Sequence, residues 1–331
     1  MLKLNNKMRH LANCQHGFGK NVRSAPGRTS AFTATGGLSR LPFCSYARSQ
    51  NRFFNVPPKK AGPLPASFVT SDITGKFILL GTGTSVGVPA LGCGCAVCQS
   101  KHPRNNRTRC SAVVGLPEGV LLIDTPPDLR TQLLREQIGV VQAVLFTHEH
   151  ADHLFGLDDL RLFPFYLGHP VPLYCEEPVE KRIRKAYDYA FSKVKPTHPG
   201  ATPQFEFRRI STDSFELLGS PIQPIRLQHG PRFEVLGFRF GNLAYCTDTN
   251  EIPATSLERL QGLDILILDA LRYKSHPTHY SLEEAIEMAH QIGAKRTYFT
   301  HASHEFDYET TNAELPEGME LAYDGLSLDL S

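Results

Sequence analysis

The chain has 331 residues, of which 35 are basic and 33 acidic, giving a formal net charge of +2. Hydrophobic residues make up 41% and charged residues 21%, which is typical of a globular protein and excludes a disordered or collagen-like one. The longest apolar runs, such as residues 77–80 and 265–268, are far shorter than the roughly 20 residues that cross a bilayer. We therefore expect no membrane-spanning segment.

Charge is distributed unevenly along the chain. Residues 1–71 contain 11 basic side chains and no acidic one, whereas residues 72–331 contain 24 basic and 33 acidic side chains, a net charge of −9. An acid-free segment rich in Arg, Ser and Thr, without a continuous apolar stretch, is typical of an organellar transit peptide and not of a secretory signal. A nucleic-acid-binding tail is the alternative, which the dispersed basic residues disfavour.

We expect residues 1–71 to be a disordered targeting leader that ends in a Pro-rich linker. The predicted destination is the mitochondrion, with the plastid as the alternative. Residues 72–331 are then the folded, functional domain.

From residue 73 onward, short apolar and β-branched runs alternate with turn signals, which predicts strands. The last helical pattern has Ser281 as its N-cap and Glu284 three residues later, which is a capping box. Eleven strands with few helices predict an α/β fold of two packed mixed sheets, with helices on their outer faces. The predicted strands cover residues 77–80, 111–114, 120–123, 141–146, 171–174, 205–210, 222–227, 235–240, 243–245, 265–268 and 296–299, and the predicted helices cover residues 127–136, 178–193 and 282–292.

Three cysteines, Cys93, Cys95 and Cys98, lie within six residues. This spacing is awkward for disulfides and natural for a metal site. A reducing compartment fits such cysteine usage better than secretion does.

The segment 147–153, Thr-His-Glu-His-Ala-Asp-His, follows a predicted buried strand and holds four metal-binding side chains in six residues. In an extended loop His148 and His150 point to one side, so both can bind one metal ion. The turn that follows directs Asp152 and His153 towards a second ion. Imidazole and carboxylate ligands suit Zn and also Mn or Fe.

Three more candidate ligands, His229, Asp248 and His301, each end a predicted strand. Any one of them alone would often be a polar residue that caps a strand. Together, and after the preceding run, they indicate a two-metal site. Asp248 suits a bridging position, because a carboxylate has two oxygens and can join cations about 3.5–4 Å apart.

These motifs resemble the metallo-β-lactamase superfamily over essentially all of residues 73–331. The resemblance implies an αββα sandwich for the hydrolase domain, residues 72–331. It also implies two metal-ligand sets and, in Asp124, the structural aspartate that organises the ligand loop. The first set is His148, His150, His229 and Asp248, and the second is Asp152, His153, Asp248 and His301.

The glycine- and cysteine-rich segment 81–98 and the segment 300–307 resemble the PhnP-like group, the phosphoribosyl cyclic phosphate phosphodiesterases. That resemblance implies a separate structural zinc, and three thiolates with one imidazole suit tetrahedral zinc. It also implies that His279, 22 residues before His301, is an acid or phosphate anchor, with His276 less favoured. The implied zinc ligands are Cys93, Cys95, Cys98 and His304.

We therefore predict a phosphodiesterase that hydrolyses a small or cyclic phosphodiester by attack of hydroxide held by two metal ions, Zn or Mn. Asp248 and His279 are the predicted catalytic residues. One alternative is a tRNA 3′-processing ribonuclease of the same fold, although the acidic domain disfavours nucleic acid. Another is a metal-binding protein without turnover. We expect no membrane partner, and the sequence leaves the oligomeric state open, a homodimer included.

Overall fold

The computed structural model describes residues 68–192, 197–198 and 200–330. The predicted leader, up to residue 67, lies outside the described residues. The described part contains 14 strands and seven α-helices. The strands are Lys76–Gly81 (β1), Ser111–Leu116 (β2), Gly119–Ile123 (β3), Ala143–Leu145 (β4), Val171–Cys175 (β5), Phe205–Arg209 (β6), Phe215–Leu217 (β7), Ser220–His229 (β8), Phe233–Phe240 (β9), Leu243–Cys246 (β10), Ile265–Asp269 (β11), Arg296–Thr300 (β12), Met319–Leu321 (β13) and Ser327–Asp329 (β14). The helices are Leu129–Arg135 (α1), Ala151–Leu154 (α2), Phe163–Leu167 (α3), Glu177–Ala186 (α4), Ala254–Leu257 (α5), Leu282–Ile292 (α6) and Tyr308–Glu314 (α7).

The strands form two seven-stranded mixed sheets. The first has the order β14-β1-β2-β3-β4-β5-β6, and the second has the order β13-β12-β11-β10-β9-β8-β7. In the first sheet the pairs from β3 to β6 are parallel, and in the second the pairs from β10 to β13 are parallel. The remaining pairs of both sheets are antiparallel.

Both faces of the central strands are buried, and alternate side chains enter different layers. Phe77 and Leu79 of β1 lie in the core between the sheets, whereas Ile78 and Leu80 belong to the core shared with α1, α3 and α4. A third core lies between the second sheet and helices α6 and α7. This period-2 burial on both faces of a sheet produces the predicted αββα sandwich.

The eleven predicted strands and three predicted helices are present, with shifted ends. Helix α6 spans the predicted residues, and the capping box between Ser281 and Glu284 is formed. The prediction of a helix over 178–193 was too long, because α4 ends at Ala186 and a separate 3-10 turn, Asp188–Phe191, follows. Strands β7, β13 and β14, of three residues each, were not predicted, since so short a run carries little periodicity.

Phe68, the first described residue, contacts the domain. Its ring lies 4.8 Å from the ring of Tyr166, edge to face, and it packs against the core beneath the outer helices. Ser71 donates from its backbone N to the carbonyl oxygen of Gln137 at 2.8 Å. No helix in the described ranges is both long and apolar enough to cross a membrane.

Candidate metal centre

Most predicted ligands follow the carboxyl ends of parallel strands, and His229, which ends the antiparallel strand β8, meets them at the same edge. Thr147, just after β4, accepts a backbone hydrogen bond from Leu236 of β9 at 3.0 Å, which links the sheets at this edge. Asp124, Asp248 and His301 follow β3, β10 and β12, with φ values of 61°, 56° and 59°. Non-glycine residues rarely adopt this left-handed conformation, so the strands end in sharp turns at the site.

The first ligand group consists of His148, His150 and His229, whose donor atoms lie within 4.8 Å of one another. Two of these rings are fixed from behind. His148 Nδ1 lies 2.9 Å from Thr147 Oγ1, and His229 Nδ1 donates to the carbonyl oxygen of Thr278 at 2.7 Å. Their Nε2 atoms make no hydrogen bond with any residue that the structure describes, and so are available to a metal. Burial lowers the pKa of all three histidines, which favours the neutral, ligating form.

The second group consists of Asp152, His153, Asp248 and His301, again within 4.8 Å of one another. The carboxylate of Asp248 lies close to histidine nitrogens of both groups. Its Oδ2 lies 3.8 Å from His148 Nε2 and 3.4 Å from His301 Nε2, and its Oδ1 lies 3.3 Å from His153 Nε2. The carboxylate thus stands between the two groups, as a bridging ligand would.

The electrostatics of the second group favour positive charge at its centre. Burial alone would lower the pKa of His153 and His301, but the carboxylates of Asp248 and Asp152 raise both, that of His301 to about 9. Burial would raise the pKa of Asp248, but His301 and His153 hold it well below its usual value.

The donor set fits divalent metal ions, as the fold family implies. His148 Nε2, His153 Nε2 and His301 Nε2 are buried and have no hydrogen-bond partner among the described residues. Buried ring nitrogens are normally hydrogen-bonded or bound to a metal. All three surround the carboxylate of Asp248. The residues present are therefore suited to hold cations at this place.

Asp124 is fully buried and holds the ligand loop. Its Oδ2 accepts from His153 Nδ1 at 2.7 Å and from Thr147 Oγ1 at 2.8 Å, and its Oδ1 accepts from the backbone N of Thr147 at 2.9 Å. A carboxylate behind a ligating imidazole fixes its tautomer and orientation. These contacts agree with the organising role expected for Asp124.

A separate cluster contains Cys93, Cys95, Cys98 and His304. The three sulfur atoms lie 3.2, 3.6 and 3.4 Å from His304 Nδ1. Tetrahedral zinc with Zn–S near 2.3 Å and Zn–N near 2.05 Å places sulfur and nitrogen about 3.5 Å apart. Burial and the neighbouring thiols raise the pKa of Cys98 to about 12, which favours its neutral thiol when no cation is bound.

Sequence comparison agrees with this geometry. The family described as the beta-lactamase superfamily domain matches residues 120–302. A solved structure, described as a new diphosphatase from the PhnP family, is 45% identical and has a TM-score of 0.71. The match covers 76% of this chain and 96% of that one. The chain belongs to the metallo-β-lactamase superfamily.

Two curated relatives of this chain carry different names. The octanoyltransferase of Porphyromonas gingivalis is 39% identical over 255 residues, which is 76% of this chain and 51% of that protein. The chain therefore spans about half the length of that relative. The ribonuclease Z of Acaryochloris marina is 24% identical over 265 residues, covering 61% of this chain and 82% of that protein.

His279 lies beside both ligand groups. Its ring stacks on that of His301 with 4.5 Å between centroids and an interplanar angle of 12°, and lies 4.7 Å from the ring of His229. His276 is farther out, half-buried, with its centroid 5.4 Å from that of His279. The structure thus brings the favoured candidate nearer the centre.

Sequence reasoning missed Asp269, the buried last residue of β11. Its Oδ2 lies 2.7 Å from His279 Nδ1 and accepts from the backbone N of Thr249 at 2.8 Å. The hydrogen bond fixes the His279 ring and leaves Nε2 to face the site. The signal was available, because Leu-Ile-Leu-Asp269 repeats the strand-then-aspartate pattern of Asp124.

Proposed function

We propose that this hydrolase is a dinuclear phosphodiesterase that cleaves a small or cyclic phosphodiester. The position of the Asp248 carboxylate, within 4 Å of ring nitrogens from both ligand groups, carries the proposal. A solved relative at 45% identity, named as a diphosphatase, supports chemistry at phosphorus.

His148, His150 and His229 would hold one ion, Asp152, His153 and His301 the other, and Asp248 would join both. Bound there, two divalent cations, Zn or Mn, would lower the pKa of water and neutralise charge developing on the phosphoryl oxygens. The cluster of Cys93, Cys95, Cys98 and His304 would hold a third ion, a structural zinc.

Besides the metal ligands, the reaction needs a group that donates a hydrogen bond or a proton, and His279 is placed to supply it. Hydrolysis forms one bond from water oxygen to phosphorus and breaks the bond from phosphorus to the leaving oxygen, which must receive a proton. His279 Nε2 is the free nitrogen of a ring that Asp269 holds through Nδ1. We assign it to donate a hydrogen bond to the phosphoryl group or a proton to the leaving oxygen.

The test is a substrate panel assayed with zinc- or manganese-loaded protein. It contains bis(p-nitrophenyl) phosphate, a 2′,3′-cyclic nucleotide, a cyclic ribose phosphate, a precursor tRNA and an octanoyl thioester. The proposal requires turnover of at least one small phosphodiester by the wild type, and its loss in Asp248→Ala together with lower metal content. Cleavage of precursor tRNA alone would instead favour a tRNA-processing ribonuclease, the function that the names of the ribonuclease Z relatives suggest.

A further inference from the structure

The turn between β8 and β9 borders the metal centre. His229 and Phe233 lie opposite each other in the register of these strands. The ring centroid of Phe233 lies 5.1 Å from that of His150 and 6.4 Å from that of His229. Two predicted ligands therefore share one aromatic neighbour, and that neighbour remains 40% exposed.

This turn is held in place by hydrogen bonds and by close packing. Gln228 donates from Nε2 to the carbonyl oxygens of Gly230 and Phe233, the latter at 3.0 Å. Gly230 has a φ of 70°, and a Cβ added there would lie 2.6 Å from the Cγ2 of Thr278. Only glycine suits this position, and the ring of Phe233 is presented by a pre-organised turn.

Arg232, next to Phe233, adds a positive charge. It is exposed and has no hydrogen bond or ion pair with any residue that the structure describes. Neighbouring arginines of the same two strands differ. Arg226 pairs with Glu176 at 2.6 Å, and Arg239 donates to the carbonyl oxygen of Gln261 at 2.9 Å. The turn therefore carries an exposed aromatic ring and, at the preceding residue, an exposed guanidinium without an ion pair among the described residues.

We infer that the turn 230–233 selects the substrate. Phe233 stacks on a planar ring of the substituent that stays on phosphorus when the leaving group departs. Arg232 binds a further anionic group of the substrate. Aromatic rings stack on Phe, and guanidinium binds phosphate through paired hydrogen bonds. The inference rests on the proposed function and narrows its substrate class to nucleotide-like phosphodiesters that carry a planar ring and a further anionic group, as opposed to a bare ribose phosphate.

A binding experiment tests the aromatic contact without turnover. The chain has no tryptophan, so Phe233→Trp introduces a single indole fluorophore. Adenosine 5′-monophosphate should quench its fluorescence with saturation, whereas ribose 5-phosphate, which lacks the planar base, should not. Phe165→Trp is the control, since Phe165 is 53% exposed but belongs to helix α3 on the outer face of the first sheet. Equal effects of the two ligands, no quenching by the nucleotide, or the same response in the control would overturn the inference.

A kinetic experiment compares the phenyl and methyl esters of p-nitrophenyl phosphate, which share a leaving group and differ in the retained substituent. We expect the wild type to prefer the phenyl ester, and Phe233→Ala to reduce that preference at least fivefold, mainly through KM. Phe233→Leu keeps an apolar side chain over His150 and should lose the same preference with wild-type metal content.

Arg232→Gln tests the positive charge, with adenosine diphosphate as a competitive inhibitor. Its inhibition constant should rise at least fivefold, while Arg182→Gln, a change of an exposed arginine on α4, should leave it unchanged. If the wild type hydrolyses both esters equally and none of these variants changes the ratio or the inhibition, the inference is wrong and the proposed function stands. If the wild type hydrolyses neither ester, the proposed function fails for these diesters, and the fluorescence titration still decides the inference.

Discussion

Three buried aspartates at strand ends make two kinds of contact at the centre. Asp124 holds His153 through Nδ1, and Asp269 holds His279 in the same way. Asp248 instead faces ring nitrogens from both ligand groups. A carboxylate behind an imidazole raises its basicity and fixes its direction. Two of the aspartates therefore act through a histidine, and the third is a candidate ligand itself.

We predict that Asp269 is a positioning residue that acts through His279. His279→Ala should lower kcat by roughly 10²–10⁴ with metal content unchanged, because only proton donation or phosphate anchoring is lost. Asp269→Asn should also lower kcat with metal retained. In the His279→Ala background the same substitution should have little further effect, which a double-mutant cycle measures.

The control for this cycle is Asp264→Asn, at the opposite end of β11, where the carboxylate pairs with Lys295 and Asn242. It should leave kcat unchanged in both backgrounds. Fully additive effects of Asp269→Asn and His279→Ala would contradict a role exerted through His279. Loss of metal in Asp269→Asn would place its effect on the neighbouring His301 instead.

The ligand residues were accessible from sequence to different degrees. The 147–153 segment stands out because four donors in six residues have no simple structural explanation. Asp269 stands out less. Its strand-then-aspartate pattern is present in the sequence, but a lone aspartate at a strand end usually caps the strand, and its 2.7 Å contact with His279 is what distinguishes it. Phe233 was invisible for a different reason. Its position beside His150 depends on strand register, which pairs residues across a turn and is set by long-range packing.

At the scale of elements, one turn connects the two candidate metal-binding clusters. His301 and His304 lie three residues apart, after β12. Arg107, which is 1% exposed, donates to the carbonyl oxygens of Ser303 at 3.1 Å and Phe306 at 2.8 Å. Cys93 contacts His304, and Arg107 binds the residues on both sides of His304. The cysteine cluster is thus linked to the turn that carries His301.

We predict that Cys95→Ser removes one zinc per chain and lowers the melting temperature more than it lowers kcat. A structural zinc contributes folding free energy directly, whereas His301 keeps its own ligand group. Metal analysis and thermal unfolding measure the two effects. Cys175→Ser, at a buried cysteine outside the cluster, should lower stability without changing the zinc content. A wild type that binds at most two metal ions at saturation would contradict the prediction.

The segment before β1 also contributes at this scale. Phe68 packs on Tyr166, Thr70 Oγ1 accepts from the backbone N of Gly139 at 3.2 Å, and Ser71 bonds to Gln137. From sequence, residues 68–71 were predicted to belong to the leader and linker. Their contacts are made with distant parts of the chain, so no local sequence pattern reveals them.

We predict that a chain beginning at Ala66 keeps full activity and stability, whereas one beginning at Asp72 is less stable by about 1–2 kcal/mol. The loss corresponds to exposing part of an aromatic side chain and two hydrogen bonds. Denaturant unfolding of the two proteins measures it. Equal midpoints would show that the contacts of residues 68–71 contribute nothing to stability.

At the scale of the molecule, each sheet consists of three adjacent antiparallel pairs and three adjacent parallel pairs. Parallel strands end at the same edge, so β3 and β4 of one sheet and β10, β11 and β12 of the other bring their following residues together. The alternating hydrophobic pattern predicted two sheets. It could not give the strand order, because each crossover joins strands far apart in sequence. The αββα arrangement was predicted from the family resemblance, which the ligands at the strand ends carry.

The last prediction concerns residues 1–71, which we propose direct the chain to mitochondria. An acid-free segment with 11 dispersed basic residues has the composition of an import signal, and nothing in the candidate centre lies within it. A fluorescent protein fused behind residues 1–71 should accumulate in mitochondria, or in plastids where the host has them, and should be shortened by cleavage. The matched control replaces Arg23, Arg28, Arg40 and Arg48 by Gln, which keeps length and polarity but removes charge, and should stay in the cytosol. Diffuse cytosolic fluorescence and an uncleaved mass for the unmodified fusion would refute targeting while leaving the family assignment unaffected.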